Sequence, residues 1–301
     1  MKPRFYFLFT FFSILFLFYP GDSDLFRIFA FNRDLFSKTA VIENANISIP
    51  VLINTEVQPN LSAQGVYIVD KNSFTPVYER NARKRLYPAS TTKIITALVA
   101  YDVLNLNKIV NISKLPDEGQ MMGLIPGERI SVEYLLYGAL IHSGNDAAYA
   151  LAHEYGYDKF IDLMNKKAEE LQMTDSNFEN PIGYDSANHY STPFDMALAA
   201  REILENNYLS KIVSIKEITI SDADFKYFHQ LANINQLLGE ISGIGGVKTG
   251  YTQEARQNLV SFYKHNDREY IIAIMNSEDR FEDTLSAVNW INSNIEYVSI
   301  N

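Results

Sequence analysis

Tyr87-Pro88-Ala89-Ser90-Thr91-Thr92-Lys93 runs straight into Ile94-Ile95-Thr96-Ala97-Leu98-Val99-Ala100-Tyr101-Asp102-Val103, and the reading of the whole chain turns on this stretch. The residues after Lys93 are mostly apolar and include no Pro or Gly, which predicts a buried helix. Ser90 and Lys93 are three positions apart, so on a helix they share a face. A lysine held against a serine in a partly dry pocket can lose its proton near neutral pH and activate the hydroxyl.

Two further motifs follow in order: Ser143-Gly144-Asn145 and Lys248-Thr249-Gly250. Ser143 and Asn145 offer a hydroxyl and an amide, suited to relaying a proton and holding a substrate amide. Lys248 and Thr249 offer a charge and a hydroxyl for a carboxylate, and Gly250 lets a strand backbone approach a ligand closely. By chance, Ser-x-x-Lys or Ser-x-Asn turns up roughly once in a chain of this length. The order and setting carry more weight than any single motif. The first opens an apolar helix, the second lies between two helical stretches, and the third follows a Gly-rich turn into a strand.

The chain has 301 residues, 47% hydrophobic and 21% charged, an ordinary globular composition. Its formal net charge of -10 argues against a nucleic-acid surface. The one basic run, Arg83-Lys84-Arg85, reads as a solvated loop or as a rim that attracts an anionic substrate. With no cysteine, thiolate metal sites, disulfides and thiol catalysis are excluded. His153-Glu154 begins like a zinc-protease motif, but Tyr157 stands where the second histidine would be, so no metal is expected. No cofactor is called for either.

Lys2 and Arg4 precede an uncharged run from Phe5 to Tyr19, which reads as a targeting segment. The run is short for a spanning helix of about 20 residues. A second aromatic stretch, Leu25 to Phe36, could lie in a membrane interface. The expectation is an N-terminal anchor or signal segment over residues 1–22, a tether over 23–62 and a catalytic domain over 63–301. With positive charge held inside, the domain is expected outside the cytoplasm. Nothing after residue 295 reads as a membrane-binding tail.

Within the domain, Gly65 to Asp70 and Pro76 to Arg80 read as paired strands joined by Lys71, Asn72 and Ser73. Asn105 to Arg129 is loop-rich and is expected to form the upper part of a cleft. Helices are expected over Ser131–Leu140, Asp146–Tyr155 and Tyr157–Gln172, and from Thr192-Pro193, where Thr caps and Pro opens the first turn. Strand-like runs at Asn258–Tyr263 and Glu269–Met275 and a helix from Glu282 to Ile295 close the chain. Strands at both ends with helices between predict an α+β fold, an antiparallel sheet built from both termini with a helical lobe.

Residues 63 to 295 resemble the low-molecular-mass penicillin-binding proteins, the serine D-alanyl-D-alanine carboxypeptidases of family S11, with a β-lactamase/transpeptidase-like fold. The three motifs carry the resemblance, as do Phe178-Glu179-Asn180-Pro181-Ile182-Gly183, His189-Tyr190-Ser191-Thr192 and Asn235-Gln236-Leu237-Leu238. The resemblance implies that Ser90 is acylated, that Lys93 is its base, and that Ser143 passes the proton to the leaving group. It also implies that Asn145 holds substrate and that Lys248 and Thr249 meet its terminal carboxylate beside Gly250. The backbone N–H groups of Ser90 and Tyr251 would form the oxyanion hole. The implied partners are a peptidoglycan stem peptide and, as covalent inhibitors, β-lactams. Two positions depart from the family pattern: Arg256 stands where a glycine is common, and Asn258 where a small residue is frequent.

The rival readings keep the same motifs. A β-lactamase needs a carboxylate for the deacylating water, and Glu179 is the candidate. An endopeptidase or transpeptidase differs in the cross-link or acceptor that fits, and a non-catalytic wall-binding module would carry an inactive pocket. His189 reads as a structural hydrogen-bonder, and Arg280 as a surface or capping residue that could reach the cleft.

Overall fold

The computed structural model describes residues 8–14, 47–53 and 56–300. Two units are distinguished: residues 1–47 with 300–301, and residues 48–299. In the first, residues 8–14 are helical, with Leu8, Phe9, Phe11, Phe12 and Ile14 exposed. Among the described residues no helix is long and apolar enough to cross a membrane. Most of the 1–22 segment, and all of 23–46, lie outside the described residues.

The second unit is built on a five-stranded antiparallel sheet. In chain order its strands are β2 (Gly65–Asp70), β3 (Pro76–Arg80), β8 (Ile244–Thr252), β9 (Arg256–His265) and β10 (Arg268–Ser277), arranged β3-β2-β10-β9-β8. The two ends of the domain thus meet in the sheet centre, where Tyr67 pairs with Ala273. Every residue of β2 is buried because both faces are covered. Tyr67 and Val69 join Ile271, Ala273 and Met275 in one apolar cluster, while Val66 and Ile68 join Ile272 and Ile274 in another. That alternation follows from the two-residue period of a strand.

The first cluster belongs to the helical lobe. It comprises α1 (Lys93–Val103), α2 (Val132–Leu140), α3 (Asn145–Tyr155), α4 (Tyr157–Glu170), α5 (Pro193–Glu205) and the short α6 (Leu209–Val213). Helix α5 lies against β2 and β10 on that face, and α7 (Arg280–Asn294) covers the other. The caps follow the sequence: Ser131 Oγ accepts from Tyr134 N–H, Thr192 Oγ1 from Asp195 N–H with Pro193 opening the helix, and Asp279 from Phe281 and Glu282 N–H.

Three strand pairs are not legible in the sequence. Ile47–Leu52, inside the stretch that reads as a tether, forms β1 and pairs with β11 (Ile295–Ile300), so part of the lead-in is ordered structure. The loop-rich segment holds β4 (Ile109–Asn111), paired with β5 (Arg129–Ser131). A hairpin of β6 (Glu217–Ser221) and β7 (Phe228–Ala232) completes the lobe. The basic run is an exposed turn, as a solvated loop would be, with two of its guanidiniums engaged: Arg83 lies over the Phe194 ring at 3.9 Å, and Arg85 lies over Tyr190 and pairs with Asp175 at 3.0 Å.

Candidate active site

The three motifs converge where the sheet edge meets the helical lobe. Ala89–Thr92 forms a single 3-10 turn that leads into α1, so Ser90 sits one turn before Lys93. Lys93 Nζ donates to Ser90 Oγ at 2.9 Å, to Asn145 Oδ1 at 2.7 Å and to the Ile182 carbonyl at 3.1 Å. Ser90 is partly exposed, whereas Lys93 is fully buried. Burial disfavours the ammonium and pulls its pKa down from 10.5 to about 7, with the Asp146 carboxylate opposing the shift.

Ser143 ends the turn between α2 and α3 in a left-handed conformation, φ 60°, and is buried. Lys248, on β8, donates from Nζ to Ser143 Oγ at 2.7 Å and to the Thr249 carbonyl at 3.0 Å. Its pKa is well below the ordinary lysine value, through burial first and then the charges of Lys93 and Arg280. Thr249 is buried beside it, and Tyr251 leaves the strand with its side chain exposed. Asn145 opens α3, and its Nδ2 donates to the Glu118 carbonyl at 3.1 Å, so both ends of the amide have protein partners. Lys93 thus joins Ser90 to Asn145, and Lys248 joins Ser143 to the strand that carries Thr249 and Tyr251.

The turn carrying Ser90 is squeezed between two glycines. A Cβ on Gly250 would lie 2.9 Å from the Pro88 carbonyl oxygen and 3.1 Å from Ser90 N. A Cβ on Gly183 would lie 1.9 Å from the Ala89 carbonyl oxygen and 2.9 Å from Ser90 N. The sequence suggests that Gly250 allows close approach of a ligand; its nearest neighbour is instead the serine turn itself. Ala89 takes φ 48°, the left-handed region, directly before the serine.

Several contributors are missed or undervalued in the sequence. Asp146 is buried, and its carboxylate accepts from the N–H groups of Met122, Gly123 and Leu124 at 2.9–3.0 Å, fastening the 118–124 segment over Asn145. Its place beside Asn145 in the second motif is the available signal. Ile182 acts through its carbonyl, for which a sequence holds no signal. Arg280 turns inward: its Nη1 donates to the Gly250 carbonyl at 2.8 Å, and its buried Nε has no protein partner. Arg256 takes φ 55°, which is the physical reason a glycine suits that position.

His189 is buried and accepts at Nδ1 from Glu179 N–H at 3.0 Å, so Nε2 carries the hydrogen toward Thr92 Oγ1 at 2.9 Å. Burial holds it neutral, with its pKa lowered to about 4, as a structural hydrogen-bonder. Glu179 is exposed, and its carboxylate accepts from Ser186 in the same loop. Among the described residues no cluster of His, Asp and Glu could hold a metal ion.

A sheet made from both ends of the domain, a helical lobe, and a serine hydrogen-bonded to a buried lysine at their junction define the penicillin-binding DD-peptidase fold. The family model for D-alanyl-D-alanine carboxypeptidase, Peptidase_S11, matches residues 53–279, and the chain belongs to that family. It is 34% identical over 221 residues to the D-alanyl-D-alanine carboxypeptidase DacF of Bacillus subtilis, covering 70% of this chain and 57% of the relative. It is 33% identical to a D-alanyl-D-alanine carboxypeptidase of Streptomyces sp. strain K15, covering 67% of this chain and 77% of that one. Among solved structures it is similar to the Streptomyces K15 DD-transpeptidase, with TM-score 0.75, 30% identity, and 79% and 99% of the two chains covered. A D-alanyl-D-alanine carboxypeptidase from Mycobacterium tuberculosis gives TM-score 0.73 at 29% identity, covering 79% and 96%. The chain thus spans about 57% of the length of the Bacillus relative but nearly all of these solved structures.

Proposed function

We propose that this chain is a serine D-alanyl-D-alanine carboxypeptidase that removes the terminal D-alanine from peptidoglycan stem peptides. The observation that carries the reading is the 2.9 Å contact between Ser90 Oγ and a fully buried Lys93 Nζ whose pKa is about 7. At neutral pH a large fraction of that amine is unprotonated and can accept the serine proton.

In this reading Ser90 Oγ attacks the carbonyl carbon of the penultimate D-alanine while its proton passes to Lys93. The backbone N–H groups of Ser90 and Tyr251 receive the oxyanion, and such a pair usually supplies several kcal/mol in acyl transfer. Lys248, Thr249 and the inward-turned Arg280 receive the substrate's terminal carboxylate. The proton returns through Ser143 to the leaving nitrogen, the C–N bond breaks, and D-alanine departs. Water then attacks the Ser90 ester, gives a proton to Lys93, and frees the shortened peptide as Ser90 is reprotonated. A β-lactam forms the same ester by ring opening, and its leaving nitrogen stays tethered. We place the domain on the extracytoplasmic face of a bacterial cell membrane, held by the N-terminal apolar segment.

A fluorescent penicillin should label the protein covalently at Ser90, and Ser90→Ala should lose both labelling and peptide hydrolysis while keeping its melting temperature. Label on another residue would overturn the assignment. Slow loss of the label supports the carboxypeptidase, and rapid turnover the β-lactamase, for which Glu179 lies engaged with Ser186. One structural neighbour is a DD-transpeptidase, so the acyl acceptor needs its own test. Product analysis with a D-amino acid present distinguishes water from an amine in that role.

A further inference from the structure

Asn258 lies on β9 directly opposite Gly250 on β8. Cross-strand partners present their side chains to the same face of a sheet. Gly250 has no side chain, and the space it leaves is filled by the Pro88 carbonyl, against which any Cβ would press at 2.9 Å. Asn258 reaches into that same space. Its Nδ2 donates to the Tyr87 carbonyl at 2.8 Å and to the Pro88 carbonyl at 3.0 Å, and its Oδ1 accepts from Asn276 N–H at 2.8 Å. The residue is wholly buried. The amide orientation is fixed by its surroundings, since a flip would set an oxygen against two carbonyls.

The two carbonyls so held belong to the residues just before the reacting serine. Pro88 O also accepts from Thr91 N–H at 3.2 Å and Thr91 Oγ1 at 2.7 Å, which closes the turn around Ser90. Ala89, between Pro88 and Ser90, is in the left-handed region, a conformation that a non-glycine residue keeps only when its surroundings enforce it. Gly183 presses on the Ala89 carbonyl from one side and Gly250 on Pro88 from another. Both glycine contacts are steric; Asn258 supplies hydrogen bonds that pull the turn toward β9. Resting on the reading of Ser90 as nucleophile, we infer that Asn258 is a positioning residue: it ties the Tyr87–Pro88 turn to β9 and thereby fixes the Ser90 N–H and Oγ relative to Tyr251, one residue beyond Gly250.

An oxyanion is sensitive to such placement, because a shift of about 1 Å in a reacting group can cost on the order of 100-fold in rate. The lysine side of the site is anchored elsewhere, on Asn145 and Ile182. Loss of Asn258 should therefore slow acylation without moving its dependence on pH.

The test is the rate constant and the final stoichiometry of labelling by a fluorescent penicillin, followed from pH 5.5 to 9 in the full chain. Asn258→Ala is expected to lower the acylation rate constant 10- to 100-fold, with labelling still reaching about one per chain and an unchanged pH midpoint. Asn258→Asp keeps the volume and the acceptor for Asn276 while facing two carbonyls with an oxygen. It should lose at least as much rate and serves if the alanine variant does not fold. A rate constant within threefold of the unaltered protein in either folded variant overturns the inference. So does a fall in stoichiometry at unchanged rate, which marks only a destabilised fold. Failure of the unaltered protein to label at all is a different result, and it would sink the functional reading along with this one.

Discussion

Lys248 Nζ lies 2.7 Å from Ser143 Oγ, a hydrogen bond that joins the second and third motifs across 105 residues. It fixes the serine hydroxyl as an acceptor toward Lys248, leaving its own proton free to point into the cleft. The pair also places a second amine near Lys93, whose charge, after burial, makes protonation of Lys248 harder. Arg280, its guanidinium turned to the Gly250 carbonyl, brings positive charge to this side of the site, which suits a ligand bearing a free carboxylate.

Acylation should follow the neutral fraction of Lys93. With a pKa of about 7, the rate is half-maximal near that pH and falls about 100-fold by pH 5. Lys93→Arg should be nearly inactive at every pH, because a guanidinium keeps its proton throughout this range. The pH profile of penicillin acylation checks both statements, and an active arginine variant would refute the base role.

The same lowered pKa carries a stability consequence. Between about pH 7 and 10.5 the unfolded chain binds a proton at Lys93 that the folded chain does not. Stability contributed by this group therefore rises with pH through that window, and Lys248, also lowered, acts in the same direction. Lys93→Met should reduce the gain in melting temperature between pH 7 and 9.5. An unchanged gain would mean that the amine stays protonated in the fold.

Arg280 should discriminate a carboxylate from an amide. Hydrogen bonds to a charged group are worth roughly 1.5–3 kcal/mol. Arg280→Gln, which retains a donor for the Gly250 carbonyl, should lower kcat/KM for a free-carboxylate peptide by about 10- to 100-fold. The C-terminally amidated peptide should already be poor and should lose less than threefold more. Equal losses on both substrates would show that Arg280 only supports the strand.

Arg256→Gly should stabilise the protein. A left-handed residue with a Cβ costs about 1–2 kcal/mol, and glycine returns about 0.5–1 kcal/mol of that as chain entropy. The ion pair it would remove, Arg256 to Glu278 at 3.7 Å, is exposed on both sides and contributes little. Denaturant melts should show a gain of up to about 1 kcal/mol with acylation unchanged.

The pairing of β1 with β11 bears on how the N-terminal segment is removed. A protein starting at Asn46 keeps both strands, whereas one starting at Asn54 leaves β11 without its partner. Both should take up penicillin, and the shorter should melt lower, by about 2–8 °C if the pairing is worth ~1–2 kcal/mol. The native protein should fractionate with membranes and retain Met1. A mature terminus near Asp24 would instead indicate a cleaved signal.

The order of Ser90-x-x-Lys93, Ser143-x-Asn145 and Lys248-Thr249-Gly250, with the helical and strand patterns around them, determined the family, the fold class and the residues that meet in the cleft. Those features are local: a three-residue spacing, an apolar run, a cap such as Thr192-Pro193. What the sequence left unread was set by partners far along the chain. β1 is short and lies among polar residues, and it is a strand because β11 waits at the other end of the domain. Arg280 turns inward because the Gly250 carbonyl, 30 positions earlier, accepts its guanidinium. Asn258 departs in sequence from a small residue, yet the empty face of Gly250 opposite gives its amide a use. The base strength of Lys93 was also decided in three dimensions, since its pKa depends on complete burial and on the distance to Asp146, which no spacing in the sequence encodes.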